Sequence, residues 1–331
     1  MWSHQQGKTN NKHKTHKIMF NPITNNSHMH VSRNEKNGEI FIMGEEVILE
    51  LENYGSLLKG KKVYIPNTKR TESLAQCDAF ARYLSSTSVQ KKFGIKELSY
   101  SFYTNTGMFV LYTITGNTIT KASFDASNDD SRLFHVYKQI DKVDVVIGNP
   151  EGSTRDDFFR YIYLSGKDYI LSVSRLFCGT KIGFTALRNG DIKFGHTLPK
   201  KYYNVDKDKV EKRGDMMWIT SFDNGYTPEF VDTYYDMGSY NYLRYENYDA
   251  INVECIKMIP MDCDVIMGIP VNFAPILNLE QFEIIGLAAG NSKACGFYGE
   301  CGYVPHVDDR GGCAILNGER TFSRLLVRFR R

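Results

Sequence analysis

A chain of 331 residues suits one large domain joined to a smaller one. Hydrophobic residues make up 42% of the sequence and charged residues 24%, which is typical of a globular protein with a buried core. No run of about 18 apolar residues occurs. We therefore expect no membrane-spanning helix, and the basic N-terminus lacks the apolar stretch of a secretory signal.

The basic residues concentrate at the two ends of the chain, although the formal net charge is only +3. Residues 1–37 hold a single acid, Glu35, beside a set of basic residues: Lys8, Lys12, Lys14, Lys17, Arg33 and Lys36. At the other end Glu319 is followed by a set of arginines: Arg320, Arg324, Arg328, Arg330 and Arg331. Basic ends on a near-neutral body favour contact with nucleic-acid phosphates, and the alternative is a pair of solvated tails.

The cysteines indicate the redox compartment. There are seven, an odd number, and they are scattered, which predicts reduced thiols in a cytoplasmic protein. Cys295, Cys301, His306 and Cys313 lie close together in sequence, but the tight cysteine pair typical of zinc sites is missing. We therefore expect no metal. The sequence does not specify an oligomeric state.

The segments beyond residue 38 alternate between strand-like and helix-like patterns, whereas residues 1–38 are interpreted as a flexible basic extension. Residues 39–51 are typical of a hairpin or a strand–turn–helix. Short apolar runs bounded by turn residues predict strands at 61–66, 95–103, 143–147 and 168–174. Helical spacing of apolar residues predicts helices at 73–85, 133–140 and 156–164. Residues 107–121 predict a β-hairpin that turns at Gly116–Asn117, and 125–130 a polar loop.

Strands separated by helices predict an α/β core over residues 39–185, with a parallel sheet and helices on both faces. Beyond residue 185 short strands and many glycines predict a smaller, irregular C-terminal module over 186–331. We expect this module to complete the fold and to recognise DNA. Its best candidates for DNA contact are the tyrosines Tyr234, Tyr235, Tyr240, Tyr242 and Tyr245. Trp218 lies in an apolar segment and is expected in the core.

The most informative motif is the stretch 144–150, DVVIGNP, in which a hydrophobic strand is followed by Asn149 and Pro150. An exocyclic amine is a poor nucleophile because its lone pair is delocalised into the ring. The side-chain oxygen of Asn149 and the backbone carbonyl of Pro150 can accept its two N–H groups and direct the lone pair toward a methyl donor. An open α/β sheet binds its ligands at the carboxyl ends of its strands. The alternative is an ordinary Asn-Pro turn.

From about residue 60 onward the sequence resembles the EcoRI-type family of adenine-specific DNA methylases. Four stretches carry the resemblance: 143–150 (VDVVIGNP) with 167–173 (KDYILSV), 217–223 (MWITSFD), 247–253 (NYDAINV), and 259–286 with IPMDCDVIMGIPVNF and then EQFEIIG. Residues 322–330 are also similar to the closing basic strand of the family.

This resemblance implies an S-adenosylmethionine-dependent DNA adenine-N6 methyltransferase of the restriction-modification type, built on a Rossmann-like methyltransferase sheet. The expected partner is double-stranded DNA with the target adenine flipped out of the helix. Asn149 and Pro150 would bind the amine, and Glu151 completes the candidate catalytic set.

The same resemblance names candidates for cofactor binding. Asp130 and Arg132 align with a Gly-Asp-Phe-Arg element ahead of the catalytic strand, so we expect them near the cofactor or the catalytic loop. Asn67 and Glu72 lie in the loop after the strand at 61–66, where the family begins its cofactor-binding half.

Two segments depart from the family pattern. The catalytic tetrapeptide Asn-Pro-Pro-Phe reads NPEG at 149–152, so the aromatic that stacks on the flipped base is absent. Such a stack contributes about 1–3 kcal/mol, and Phe158 or Phe159 could replace it. The loop at 67–70 is basic (NTKR) where the family has acids. Three functions stay open: an active methyltransferase with a variant loop, a catalytically inactive homologue that binds DNA or a protein partner, and a transferase for another nucleophile or donor.

Overall fold

The structure is a computed structural model, and it describes residues 40–66, 79–104, 106–126, 129–150, 155–204, 207–238, 240–261, 263–290, 292, 296–298 and 301–330. Asn37–Arg331 form one compact unit of the chain. The predicted extension at 1–38 lies outside the described residues, and the predicted domain boundaries stay predictions. Within the described ranges, no helix is both long and apolar enough to span a membrane. In the same ranges no three His, Cys, Asp or Glu side chains come together as a metal site would need.

Strands outnumber helices in the described chain. The strands are β1 (Ile40–Ile42), β2 (Lys62–Ile65), β3 (Glu97–Tyr103), β4 (Met108–Thr115), β5 (Thr118–Asp125), β6 (Val145–Gly148), β7 (Asp168–Ser174), β8 (Lys193–Phe194), β9 (Lys201–Asn204), β10 (Lys209–Lys212), β11 (Met216–Thr220), β12 (Ala250–Asn252), β13 (Ile266–Pro270), β14 (Phe282–Ala288), β15 (Ile315–Leu316), β16 (Glu319–Arg320) and β17 (Arg324–Phe329). The α-helices are α1 (Gly44–Leu51), α2 (Ala79–Leu84), α3 (Thr87–Phe93), α4 (Asp129–Ile140), α5 (Arg155–Leu164) and α6 (Lys181–Arg188).

The largest sheet has eight strands in the order β5-β4-β3-β2-β6-β7-β11-β8. Its centre, β3-β2-β6-β7, is parallel, and β4, β5, β11 and β8 join it in antiparallel pairs. The predicted α/β class is confirmed. The predicted parallel pairing holds only for the four central strands: the predicted turn at Gly116–Asn117 joins β4 and β5 to the same sheet as an antiparallel hairpin, and β11 and β8 are antiparallel at the other end.

Alternate residues of the central strands enter two different cores. Val63 and Ile65 of β2 pack on one face with α1, α2 and α3. Tyr64 of the same strand packs on the opposite face with residues of α4, α5 and α6. Helices therefore cover both faces of the sheet, which explains why β2 and β6 are apolar along almost their whole length.

A buried carboxylate fixes α1 to the loop after β8. Glu50 is fully buried, and its Oε1 accepts hydrogen bonds from the Tyr54 hydroxyl (2.9 Å) and the His196 N–H (3.0 Å). Its Oε2 accepts from the Thr197 N–H (2.8 Å) and the Thr197 hydroxyl (2.7 Å). Asn224 donates to the Tyr54 hydroxyl and to the Phe194 carbonyl. All four of these groups donate hydrogen bonds to the Glu50 carboxylate, so they stabilise its negative charge in place of water.

A second sheet of four strands, β12-β13-β17-β14, lies beyond the first. Leu325 and Val327 of β17 belong to the same core cluster as the strands and helices of the first sheet. Leu326 faces the other side and packs with Tyr245 and Tyr248. Two short antiparallel sheets complete the described structure, β1-β9-β10 and β15-β16.

Most predicted elements are confirmed, with shifts at their ends. The segment at 39–51 is a strand–turn–helix, so the hairpin alternative is wrong. The strand at 168–174 is found as predicted, and the hairpin predicted at 107–121 is found with its second strand extended to Asp125. The prediction of a loop over all of 125–130 is therefore wrong, since Asp125 ends β5 and α4 begins at Asp129. Helix α4 begins at Asp129, four residues before the predicted start, because Asp129 and Asp130 suit a helical first turn. Of the helix predicted at 73–85, only 79–84 falls among the described residues.

Candidate active site

The strands β2 and β6 lie side by side although some 80 residues separate them, with Val63 opposite Val145 and Tyr64 opposite Val146. From β2 the chain first goes to β3 on one side and only later returns to β6 on the other side. Loops that leave two neighbouring parallel strands in opposite directions open a crevice at the carboxyl ends of these strands, where α/β sheets bind ligands. From this strand order we expect the crevice at the carboxyl ends of β2 and β6, beside Pro66 and Gly148.

The two strand ends are in direct contact. A Cβ atom added to Gly148 would lie 3.7 Å from the carbonyl oxygen of Pro66. The Pro66 ring atoms Cδ and Cγ lie 3.9 and 4.0 Å from the same position, so a glycine here adds no further side chain between the two strand ends. Asn149 and Pro150 follow at once and are half-buried, so they border the crevice without being sealed from it. The third catalytic candidate, Glu151, lies outside the described residues.

A buried polar cluster supports β2 beneath the crevice. The hydroxyl groups of Tyr64 and Ser101 are hydrogen-bonded at 2.6 Å, which joins β2 to β3. The side-chain amide of Gln139 donates to the Ser99 hydroxyl at 3.1 Å, which joins α4 to β3. Burial raises the pKa of the Tyr64 phenol, although its bond to Ser101 lowers it, so Tyr64 stays neutral. The cluster holds two strands and one helix in a fixed relation.

Phe158 and Phe159 do not replace the missing stacking aromatic. Both side chains are buried, with 1% and 0% of their surface exposed. The ring of Phe159 packs edge-on against Tyr169 and Phe177 at centroid distances of 5.2 and 4.9 Å. That hypothesis is therefore wrong, because the face of α5 that carries both rings is the one turned to the core. These rings instead anchor α5, the helix after the candidate catalytic loop, to the core beside β7.

Arg155, which the sequence motifs do not single out, begins α5 immediately after the candidate catalytic loop. Its guanidinium lies over the ring of Phe177, with Cζ 5.3 Å from the centroid, and its Nε donates to Asp156 at 2.9 Å. Burial raises the pKa of the neighbouring Cys178 thiol to about 12, against the lowering effect of the Arg155 charge. Arg155 is thus paired with Asp156 and packed on Phe177 at the start of α5, which immediately follows residues 151–154 in sequence.

The end of β7 next to this position holds a second arginine. Arg175 is buried, and its Nε donates to the Met216 carbonyl of β11 at 3.3 Å. Its backbone N–H donates to the Asp215 carbonyl at 2.7 Å. Burial lowers the pKa of Arg175, while the charge of Asp215 raises it. Arg175 therefore closes the carboxyl edge of the sheet on the β11 side rather than facing the crevice.

The structure describes only part of the set of residues that the sequence predicts for cofactor binding. Asn67 and Glu72 lie outside the described residues. Asp130 and Arg132 lie in the first turns of α4, and their side chains are not among those described. Helix α4 begins after β5, which ends at the same edge of the sheet as β3, so its N-terminus lies at the carboxyl edge. Their roles stay predictions.

The tyrosine cluster proposed for DNA contact separates into two groups. Tyr234, Tyr235 and Tyr240 are exposed, with 74%, 42% and 43% of their surfaces accessible. Tyr245 is buried, and its hydroxyl donates to Asn252 Oδ1 at 2.7 Å. Tyr245 is thus part of the core beneath the second sheet and is excluded as a DNA contact. The Tyr242 hydroxyl donates to the Met258 carbonyl at 2.7 Å, which leaves the first three as candidates.

The arginines near the C-terminus do not form a free basic tail. Arg324 and Arg328 belong to β17, which lies between β13 and β14 in the second sheet. Arg328 Nε lies 2.9 Å from Glu283, and Arg324 is buried with its Nη2 3.7 Å from Glu254. The tail interpretation is therefore wrong for these two residues, and the interpretation as a closing strand is correct.

Comparison with known proteins shows that more than half of this chain matches one protein family. The family described as adenine-specific methyltransferase EcoRI matches residues 126–330, which is more than half of the chain. This range begins at the end of β5 and contains β6 and the residues Asn149 and Pro150.

Three curated relatives are similar along nearly their whole length. The Type II methyltransferase M.MgeORF184P of Mycoplasma genitalium is 23% identical over 325 residues, which cover 91% of this chain and 98% of the relative. M.MpnI of Mycoplasma pneumoniae is 24% identical over 324 residues, 90% of this chain and 97% of the relative. M.EcoRI of Escherichia coli is 23% identical over 314 residues, 84% and 94% respectively. The chain therefore belongs to the EcoRI family of adenine-specific methyltransferases.

Proposed function

We propose that this protein is an S-adenosylmethionine-dependent DNA adenine-N6 methyltransferase with a variant catalytic loop. The observation that carries the proposal is the position of Asn149 and Pro150 at the carboxyl end of β6, beside the end of β2, where the chain reverses direction across the sheet. The parallel order β3-β2-β6-β7 with antiparallel β11 supports a Rossmann-like arrangement, in which this crevice is the ligand site.

In this proposal Asn149 and Pro150 hold the adenine amine. The Asn149 side-chain oxygen and the Pro150 carbonyl accept one N–H each, which withdraws the lone pair from the ring and directs it into the crevice. S-adenosylmethionine supplies an electrophilic methyl group when it is bound. Glu151 lies next in sequence and completes the catalytic set.

The methyl donor in this proposal binds beside the ends of β2 and β6. Gly148 adds no side chain of its own next to Pro66, which favours close approach of a ligand to the backbone there. Asn67 and Glu72 follow β2 in sequence, and Asp130 and Arg132 lie at the start of α4. We assign these four residues to donor binding.

The substrate in this proposal is double-stranded DNA from which the target adenine is flipped out. The amino group of an adenine stacked in the DNA duplex cannot reach Asn149 and Pro150, because both residues are half-buried at the ends of two β-strands. The adenine therefore has to leave the duplex. The exposed Tyr234, Tyr235 and Tyr240 offer rings for contact with the nucleic acid. We further propose that the protein acts in the cytoplasm, as the modifying member of a restriction-modification system.

A second candidate function is a homologue without turnover that binds DNA or a protein partner. The burial of Phe158 and Phe159 favours it, because the helix after the loop then supplies no ring to stack on the flipped base. Loss of one base–aromatic stack weakens binding by about one to two orders of magnitude. Such a loss would slow methyl transfer without disturbing the scaffold.

Methyl transfer to duplex DNA, followed by nucleoside analysis for N6-methyladenine, tests the first function. We expect Asn149→Ala to lower turnover about a hundredfold or more, with little loss of thermal stability. Asn189→Ala is the matched control, since Asn189 follows α6 at the opposite edge of the sheet and is exposed. Turnover of Asn149→Ala equal to that of the control would refute the assignment.

Titration of the protein with S-adenosylmethionine separates the two functions. Micromolar binding supports the methyltransferase. Retention of DNA with no heat on addition of the donor supports the second candidate. Gly152→Phe restores the aromatic residue of the family motif. If only this variant transfers methyl groups, the changed loop sequence is the reason that the wild-type protein is inactive.

A further inference from the structure

A groove opens between the end of α6 and the second sheet, along its edge strand β14 and the neighbouring strand β17. Its volume is about 400 Å³, which lies in the range of sites for small organic molecules. One wall is the last turn of α6 with the two residues after it, and the other wall is the first half of β14 with the end of β17. The groove therefore lies between elements that belong to different sheets, which is a frequent position for a ligand site.

The charged residues of the groove leave an excess of positive charge. Three arginines and one carboxylate line it: Arg188, Arg328, Arg330 and Glu283. Arg328 Nε lies 2.9 Å from the Glu283 carboxylate, so these two charges compensate each other. No described carboxylate forms an ion pair with Arg188 or Arg330, and the Arg330 Nε donates to the Leu279 carbonyl at 2.6 Å. Two guanidinium charges are therefore left for an anion.

The carbonyl groups at the end of α6 do not oppose an anion in the groove. A helix C-terminus usually disfavours negative charge, because its last carbonyl groups lack partners inside the helix. Here three carbonyls of the last turn accept hydrogen bonds from the backbone N–H groups of residues 189–191. Gly190 has a φ of +78°, the left-handed conformation that lets the chain fold back over the helix end. The positive charge of Arg188 is thus not offset by open carbonyl groups.

The wall between the two elements is apolar. Leu187 is buried in the core of the first sheet, and Leu279 and Ile284 pack against that core. Leu279 and Ile284 are only half-buried, so part of each side chain faces the groove. An apolar wall beside two arginines fits a molecule that joins an anionic group to an apolar or planar one.

We propose that this groove binds a small phosphate monoester that carries an apolar or planar organic group. A guanidinium donates two parallel N–H bonds to phosphate oxygens, which favours a phosphate at Arg188 and Arg330. Near neutral pH a phosphate monoester is largely a dianion, so its charge matches the two uncompensated arginines. The organic group packs on Leu279 and Ile284.

This site is separate from the crevice beside Asn149. Tyr169, near the start of β7, donates its hydroxyl to the carbonyl of Asp191, just beyond α6, at 2.8 Å. Helix α6 therefore ends beside the start of β7, whereas Asn149 follows the carboxyl end of the parallel strand β6. The groove and the crevice lie at opposite edges of the first sheet, so the phosphate site does not depend on the proposed methyl transfer.

Isothermal titration of the full chain with phenyl phosphate tests the proposal. This probe has a phosphate dianion and a planar ring, and it lacks the adenine that the proposed donor site would recognise. We expect a Kd of about 100 μM, with inorganic phosphate and phenol each binding at least about tenfold more weakly. Absence of binding at about 10 mM phenyl phosphate, or equal affinity for phenol, would overturn the proposal. Displacement of phenyl phosphate by a short DNA duplex would also overturn it, since the groove would then hold a phosphodiester backbone.

Substitutions in the groove test its charges. Arg188→Gln and Arg330→Gln should each weaken phenyl phosphate binding about tenfold, because each removes a charge-assisted contact. Arg244→Gln is the matched control, on a 54% exposed arginine beside β12 at the other edge of the second sheet, and should leave the Kd unchanged. Glu283→Gln should strengthen binding severalfold by removing the carboxylate of the groove, a gain that misfolding cannot produce. Unchanged affinity in both arginine variants, or weaker binding by Glu283→Gln, would refute the assignment.

Discussion

Replacing Glu50 with alanine should destabilise the protein by removing the acceptor that joins α1 to the loop after β8. Four donors converge on this fully buried carboxylate, from Tyr54, His196 and Thr197. Bonds to a charged group contribute about 1.5–3 kcal/mol each, and the cost of burying the charge offsets several kcal/mol of that sum. We expect a loss of about 3 kcal/mol in the free energy of unfolding, or a melting temperature about 6 °C lower.

Thermal and urea unfolding of Glu50→Ala beside Glu52→Ala measure this effect. Glu52 is the matched control because it is exposed on the next turn and pairs with Lys92 at the surface, where a pair contributes about 0–1 kcal/mol. Equal stability of the two variants would refute the assigned role of Glu50.

The pH dependence gives a second test of the same residue. Burial is the largest effect on Glu50 and raises its pKa above the ordinary 4.5, while the bonds from Thr197, Tyr54 and His196 lower it. The folded state therefore binds the proton more tightly than the unfolded state, so the proton-linked part of the stability from Glu50 is fully present below pH 4.5 and is lost as pH rises through the folded pKa, whereas its hydrogen bonds remain. Glu50→Gln does not titrate. The stability of the wild type relative to this variant should fall over that window, and a rise with pH would contradict the raised pKa.

Two further predictions concern the cores. Phe159→Ala should cost about 3–5 kcal/mol in calorimetric unfolding because its ring is fully buried, whereas Leu164→Ala on the exposed end of α5 should cost little, and equal losses would contradict the packing. Burial raises the pKa of Asp309, but bonds from the Tyr303 hydroxyl and from backbone N–H groups lower it to about 2. Its carboxylate therefore stabilises the fold above pH 3.8, and this contribution is lost as pH falls toward 2. In urea unfolding, Asp309→Asn should be less stable than the wild type at pH 7 and similar to it at pH 2. A stability difference that stays the same across that range would refute the lowered pKa.

Local patterns in the sequence predict strands and turns wherever the signal lies within one element. The apolar runs before Pro66 and Asn149 are strands, and Gly116 supplies the positive φ that the turn after β4 requires. The antiparallel pairing of β11 with β7 depends on contacts between residues about 45 positions apart, such as Ile219 and Leu171. Such pairing leaves no local pattern, so the antiparallel place of β11 beside β7 could not be predicted, whereas the antiparallel hairpin of β4 and β5 could.

The candidate site, like the fold, could be predicted from the sequence only in part. Asn149 and Pro150 are identified by their position after an apolar strand, and their proximity to Pro66 appears only when β2 and β6 become neighbours. Whether Phe158 and Phe159 reach a ligand depends on the rotation of α5 about its axis. Two aromatic residues in succession are compatible with either face, and the contacts with Tyr169 and Phe177 decide it.

The fluorescence of the Trp218 indole can report on the half of the sheet that we propose to bind the methyl donor. Trp218 is 1% exposed, its Nε1–H has no hydrogen-bond partner in the part of the chain that the structure describes, and its ring meets Phe80 of α2 edge-on at 5.9 Å. Such an apolar setting gives blue-shifted fluorescence. The segment 67–78, which holds Asn67 and Glu72, leads directly into α2. With the other tryptophan, Trp2, replaced by phenylalanine, emission from Trp218 would report whether a ligand at this loop changes the packing of α2, without any label on the protein.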